Sequence, residues 1–94
     1  MIAFAMAYEQ TLERRYLDSF EQVAGWTYRT LVDRAHGEWF GYADAAGNVT
    51  HRFKGGAYKG CFHVPRALLM CSRLLAAALA KVQAAAAAAA GAGP

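Results

Sequence analysis

The first turns of the chain set large apolar residues among alanines. Ile2, Phe4, Met6 and Tyr8 alternate with Ala3, Ala5 and Ala7, and the run predicts a helix from residue 1. No Ser, Thr, Asp or Asn stands before it as a cap. A helix that starts apolar and uncapped is expected to be the cut end of something longer. A second helix is predicted from Leu12 or Arg15 to Val32. Tyr16, Phe20, Val23, Thr27 and Leu31 recur at helical spacing, and Leu17, Ala24 and Tyr28 widen the stripe. The opposite face carries Glu13, Arg14, Asp18, Glu21, Gln22 and Arg29. Gly25 weakens this helix and is expected to let another helix approach closely.

The period changes after Gly37. Residues 39–43 (Trp-Phe-Gly-Tyr-Ala) predict a strand, 44–48 a hairpin loop with glycine available for positive φ, and 49–53 the returning strand. Residues 54–60 contain three glycines and predict a flexible or tightly turning loop. Val64-Pro65 opens a third helix, with proline in the first turn, where its missing N–H costs nothing. Its expected stripe is Leu68, Cys71, Leu75, Ala78, Leu79 and Val82. From Ala84 the chain is alanine-rich, with no large side chain to bury. Polyalanine can extend the helix, but beyond the domain segment 1–83 residues 84–94 are expected to be a tail without a role of its own. Leu74 to Ala92 is apolar, but Lys81 and Gln83 interrupt it and alanine is a weak membrane residue, so no membrane span is predicted.

Composition narrows the possibilities. Twelve of the 22 alanines fall in the last 19 of 94 positions. The remaining 75 residues are too few for two domains and marginal for one core. A large self-contained enzyme is excluded; a piece of one is not. All seven acids precede residue 45, whereas Arg52, Lys54, Lys59, Arg66, Arg73 and Lys81 follow it without a single carboxylate. That asymmetry suits either an anionic partner or neutralisation of one half of the chain by the other. Cys61 and Cys71 cannot define a disulfide framework, and Cys61-x-His63 lacks zinc-type spacing, so reduced thiols, no metal site and a cytoplasmic location are expected. No secretory leader is predicted at the N-terminus.

Three groups carry candidate chemistry. Gly55 and Gly60 have the spacing of a phosphate loop, but Cys61-Phe62 follows where Lys-Ser/Thr is needed, and that reading fails. The basic half interleaves His51, Arg52, Phe53, Lys54, Tyr58, Lys59 and Phe62, a mix able to stack bases and neutralise phosphates; a small basic nucleic-acid-binding module is the alternative function. His63 sits between an apolar loop end and a helix start, flanked by Lys59 and Arg66. Nearby cations favour a neutral imidazole able to act as a base. His36 and His51 lie in polar turn or hairpin surroundings, where solvent or local hydrogen bonds are expected.

The run His36-Gly37-Glu38-Trp39-Phe40-Gly41-Tyr42, then Asp44, Gly47-Asn48-Val49, Lys54-Gly55-Gly56-Ala57-Tyr58-Lys59-Gly60-Cys61-Phe62-His63-Val64-Pro65-Arg66 and Met70-Cys71, resembles the C-terminal part of the N-acylglucosamine 2-epimerases, also called renin-binding protein. The resemblance covers about residues 1–75, and the ungapped string from Lys54 to Arg66 is its most specific part. It implies an all-α fold: the last three or so helices of an (α/α)6 toroid, with a β-hairpin between the second and third. It implies interconversion of N-acetylglucosamine and N-acetylmannosamine without a cofactor, with an N-acetylhexosamine as substrate. It further implies a nucleotide effector and a homodimer in the complete protein, and an H-x-E motif before Met1. His63 is then one of two acid/base groups at the sugar C2, the other lying outside this chain. Lys59 and Arg66 become candidates for binding substrate near O1, and Trp39 either stacks on a sugar face or walls the barrel. A chain of three helices cannot close such a toroid, so apolar surface is expected to be exposed and the chain alone to be inactive.

Overall fold

The computed structural model describes residues 1–92, so the last two positions of the expected tail, Gly93 and Pro94, lie outside the described residues. Three helices carry the structure: α1 (Ile2–Thr11), α2 (Arg14–Thr30) and α3 (His63–Gly91), with a two-stranded antiparallel sheet of β1 (Tyr42–Ala43) and β2 (Val49–His51) between α2 and α3. The expected order of elements is present. A toroid needs helices beyond these three.

α1 has no side-chain N-cap, as its sequence predicts. It ends at Leu12, whose left-handed backbone (φ 56°) sends its N–H to the Tyr8 carbonyl at 2.7 Å. The Thr11 hydroxyl donates to the Ala7 carbonyl and accepts from the Glu13 N–H, so the chain turns at once into α2. Leu12 thus ends one helix rather than starting the next.

α1 is the middle element and packs on both α2 and α3. Ala5, fully buried, sits with Phe20 of α2 and Cys71 of α3; Met1, Ile2, Leu17, Ala24, Leu74 and Leu75 pack around them. Phe20 is the only large side chain among the buried described residues; Ala78 and Thr27 complete the set. Of the expected α2 stripe, Phe20 and Thr27 are buried and Tyr16 and Leu31 half-buried, while Val23 stays exposed. The expected α3 stripe is corrected. Leu68, Leu79 and Val82 are exposed, and the inner face is Cys71, Leu74, Leu75 and Ala78, because α1 covers only that part of the helix. Gly25 also differs from expectation: the group over it is the Arg29 guanidinium from its own helix, not a neighbouring helix.

α3 does not stop near residue 83. Ala84–Gly91 continue it, all exposed. Alanine needs no packing partner to favour helix, so the element outruns its neighbours. By length and composition α3 could cross a membrane. Its stretch from Cys71 to Lys81 rests on α1, where the Lys81 ammonium pairs with the Glu9 carboxylate and donates to the Glu9 carbonyl at 2.8 Å.

The predicted strand 39–43 is shorter than its sequence suggests. Only Tyr42 and Ala43 pair with β2, in the register Tyr42↔His51 and Ala43↔Val49 with a bulge between. Trp39 turns back to bridge Val32, and the Phe40 N–H donates to the Leu31 carbonyl at 2.7 Å. Gly37, at φ 81°, and Glu38, at φ 63°, lie at that reversal. The hairpin loop forms as predicted: Gly47 has φ 88°, and Asp44 accepts from the Asn48 N–H at 2.9 Å and from its side-chain amide.

Candidate functional site

His63 is the first residue of α3 and is exposed. It lies where two shallow depressions meet. One, about 470 Å³, is lined by the start of α1 (Met1, Ile2), by Thr27 and Leu31 of the α2 end, and by Trp39, His63 and Arg66. The other, about 320 Å³, is lined by Phe40, Tyr42, Tyr58 and Lys59, again with Trp39 and His63. Leu31, Trp39, His63 and Val64 border both. All four residues singled out from the sequence (His63, Lys59, Arg66 and Trp39) therefore converge on one groove, although they come from three segments.

Each is held differently. Trp39 is half-buried, meets Tyr28 edge-on at 5.8 Å, and its backbone N–H donates to the Glu38 carboxylate at 2.6 Å. Lys59 is anchored: its ammonium donates to Glu38 at 3.2 Å and to the Lys54 carbonyl at 3.0 Å, and its side chain is 13% exposed. Its stem passes directly over Gly41, where an added Cβ would come within 2.9 Å of Lys59 Cδ. Arg66 is exposed and reaches back one turn to His63, Nη2 to Nδ1 at 2.9 Å, with its guanidinium 4.8 Å from the Phe62 ring centre.

Sequence reasoning overlooked the supports beneath these residues. Lys54 donates to the Asp33 carboxylate at 2.7 Å and to the Gly37 carbonyl at 2.6 Å, tying the end of α2 to the loop before α3. Asp33 also accepts from the Ala35 and His36 N–H groups. These bonds, the one from Lys54 foremost, hold the Asp33 carboxyl well below the usual carboxylate range. Glu38 is likewise lowered, first by the Trp39 N–H and then by Lys59. The loop 54–60, expected to be flexible or tightly turned, is pinned at both lysines and closed by the Gly56 N–H on the Lys59 carbonyl. The signal for these pairs was the charge asymmetry: acids early, cations late.

The asymmetry resolves by residue type. Lys54, Lys59 and Lys81 all pair with carboxylates of the first half; Arg52, Arg66 and Arg73 form no ion pair among the described residues. Arg52 lies over Phe40 instead. Neutralisation therefore takes two of the three Lys/Arg cations that the nucleic-acid reading relied on, Lys54 and Lys59. His36 is exposed with Nδ1 3.5 Å from Asp33, and His51 pairs locally with the Thr50 hydroxyl, both as expected. Cys61 is exposed and Cys71 buried; burial raises the Cys71 thiol pKa.

The sequence profile of the N-acylglucosamine 2-epimerases (GlcNAc 2-epimerases) matches residues 1–67, a span that contains every residue of the groove. The mouse N-acylglucosamine 2-epimerase is 46% identical over 85 residues, 90% of this chain and 20% of the relative. The human one is 48% identical over 81 residues (86% and 19%), and the bovine one 49% over 75 residues (80% and 18%). The chain thus spans about a fifth of the length of the curated relatives it matches. With a profile match over more than half its length, and with the groove residues inside that match, the chain belongs to the N-acylglucosamine 2-epimerase family.

Proposed function

We propose that this chain supplies one wall of a sugar 2-epimerase site, and that the complete protein interconverts N-acetylglucosamine and N-acetylmannosamine. The observation that carries the proposal is the convergence of His63, Trp39, Lys59 and Arg66 on one groove inside the family match. In the ring-opened sugar the C2–H is acidic because its electron pair can delocalise into the C1 aldehyde. Epimerisation breaks that C–H bond, leaves an enolate, and returns a proton to the opposite face. Two acid/base groups straddling C2 are required. His63 is one, and the other comes from outside this chain. Arg66, or the Lys59 ammonium if it exchanges Glu38 for substrate, would offset charge developing on O1. Trp39 would border the sugar.

The same reading places this segment at the end of an (α/α)6 toroid. The complete protein would work without cofactor or metal, respond to nucleotide, form a homodimer and remain in the cytoplasm away from membranes. The exposed apolar side chains Phe62, Leu69 and Leu79 would then face neighbouring helices.

The test has two arms. The 94-residue chain incubated with N-acetylglucosamine is expected to give no N-acetylmannosamine. A chimaera in which this chain replaces its matched segment of the mouse relative is expected to give it. In that chimaera His63→Ala should lower kcat by about 10²–10⁴-fold, the usual contribution of a positioned acid/base group, with the fold intact by circular dichroism. An unchanged kcat removes His63 from the chemistry, and turnover by the chain alone overturns the need for the missing wall.

A further inference from the structure

The contact between Arg66 and His63 fixes more than a position. A guanidinium has five N–H donors and no acceptor, and it stays protonated in proteins. With Arg66 Nη2 2.9 Å from His63 Nδ1, the nitrogen at Nδ1 must be the acceptor. That hydrogen bond exists only when the neutral ring carries its proton on Nε2. Two further contacts keep the guanidinium in place. It stacks 4.8 Å from the Phe62 ring centre, and the Phe62 and His63 rings meet edge-on at 5.2 Å. No carboxylate pairs with Arg66 among the described residues, so no competing partner draws it away from the imidazole.

Resting on the epimerase reading above, we propose that Arg66 is a positioning residue that selects the Nε2–H tautomer of His63. A ring held this way has its lone pair covered at Nδ1 and leaves Nε2–H as the unengaged nitrogen. In this state Nε2–H can donate a hydrogen bond toward substrate, but the neutral ring cannot give that proton up without leaving an imidazolate, so His63 acts as an acid only after Nδ1 has taken a proton and Arg66 has let go. For His63 to accept a proton at Nε2, Arg66 must first release Nδ1 and the ring proton must move there. This role differs from that of a residue binding the substrate, for which Arg66 would leave the ring's tautomer untouched.

The experiment reads the tautomer directly. Imidazole ¹⁵N–¹H correlation spectra are recorded on the histidine-labelled 94-residue chain at a pH where the imidazoles are neutral, with the His63 signals assigned by their loss in His63→Gln. The expected result is one tautomer, with a protonated Nε2 and an unprotonated Nδ1. Arg66→Met should shift both nitrogens toward the averaged values of a free histidine, and Arg66→Lys, which keeps a donor, should restore part of the difference. Arg66 is exposed, so neither change disturbs the core. In the active chimaera, Arg66→Met should lower kcat by about tenfold or more while KM changes little. An Nδ1–H tautomer, or an averaged spectrum already present with Arg66 in place, overturns the proposal. So does a rise in KM alone with the tautomer unchanged. A chimaera inactive with every residue intact would instead count against the epimerase reading, because the tautomer is read without turnover.

Discussion

The helical layer and the segment that joins α2 to α3 are held together by different means. Residues 1–30 and 63–91 meet through a thin apolar core in which Phe20 is the one large buried side chain and the rest are small: Ala5, Cys71 and Ala78. Residues 31–62 bury no apolar side chain fully, yet almost every turn is tied by a named bond: Lys54 to Asp33 and Gly37, Lys59 to Glu38, Asp44 to Asn48, Phe40 to Leu31. The helices depend on area, and area is short when neighbours are few. The joining segment depends on local donors and acceptors, which need no further chain. The groove lies on the seam between the two. Trp39 and Lys59 come from the bonded segment, and His63 and Arg66 from the first turn of a helix anchored by the core. A displacement in either region misaligns the site.

The most severe way to break this comparison is Phe20→Ala. Truncating a buried phenylalanine costs about 3–5 kcal/mol, of the same order as the whole stability of a small domain. The expected result is loss of most helical ellipticity at 25 °C, or a urea midpoint shifted to near zero. The changed Phe20 touches none of the bonds in residues 31–62. If ellipticity survives with only a small midpoint shift, the core is not where the helices are held.

Asp33→Asn acts on the other region. It removes the charge that Lys54 meets and weakens acceptance from the Ala35 and His36 N–H groups. The expected outcome is faster hydrogen exchange at Ala35, His36 and Gly37, with the amides of α1 unchanged. Equal loss of protection in both regions would show that they open as one unit. The same carboxylate gives a milder, pH-driven version. Its folded-state pKa lies below the ordinary value of about 3.9, so the unfolded chain binds the proton more readily. Its stabilising contribution is therefore complete above that ordinary value and is lost as pH falls toward the lowered one. Carboxyl ¹³C titration should place the Asp33 midpoint below the ordinary carboxylate value; a midpoint at that ordinary value would dissolve the Lys54–Asp33 tie.

What could be read from the sequence follows the same division. Helical periodicity located α1 and α2 within a residue or two, because Phe20 and Thr27 sit where a 3.6-residue period puts them. It failed on Leu68, Leu79 and Val82, since a period names a face but not how far a neighbour covers it, and α1 is only ten residues long. The hairpin loop was visible in Asp44, Gly47 and Asn48, whose side chains and backbone freedom act within a few positions. The short strand was not, because the reversal at Glu38 uses a positive φ on a residue type that gives no sign of it. His63 stood out as a titratable residue at a helix start between two cations; Lys59, Arg66 and Trp39 gained their roles only through resemblance. Their anchors, Asp33 and Glu38, were hidden because each pairs with a lysine 21 positions away. The charge asymmetry forecast that such pairs exist without saying which they are.

The smallest effect is expected from removing residues 84–94. Ala84–Gly91 are helical but exposed throughout, and the side-chain bonds from α3 to α1 among the described residues lie before them, at Lys81 on Glu9. An alanine helix gains its own hydrogen bonds as it extends, with no side-chain ordering to oppose it, so this end needs nothing from the rest of the molecule and gives little back. Truncation after Gln83 should reduce mean helical ellipticity in proportion to the turns lost. It should leave the melting temperature within about 2 °C and the His63 tautomer unchanged, as for exposed positions generally. A drop of many degrees would mean that the alanine end covers apolar surface on another copy of the chain. The helical region would then owe part of its stability to association, and a dependence of melting temperature on protein concentration would accompany the drop.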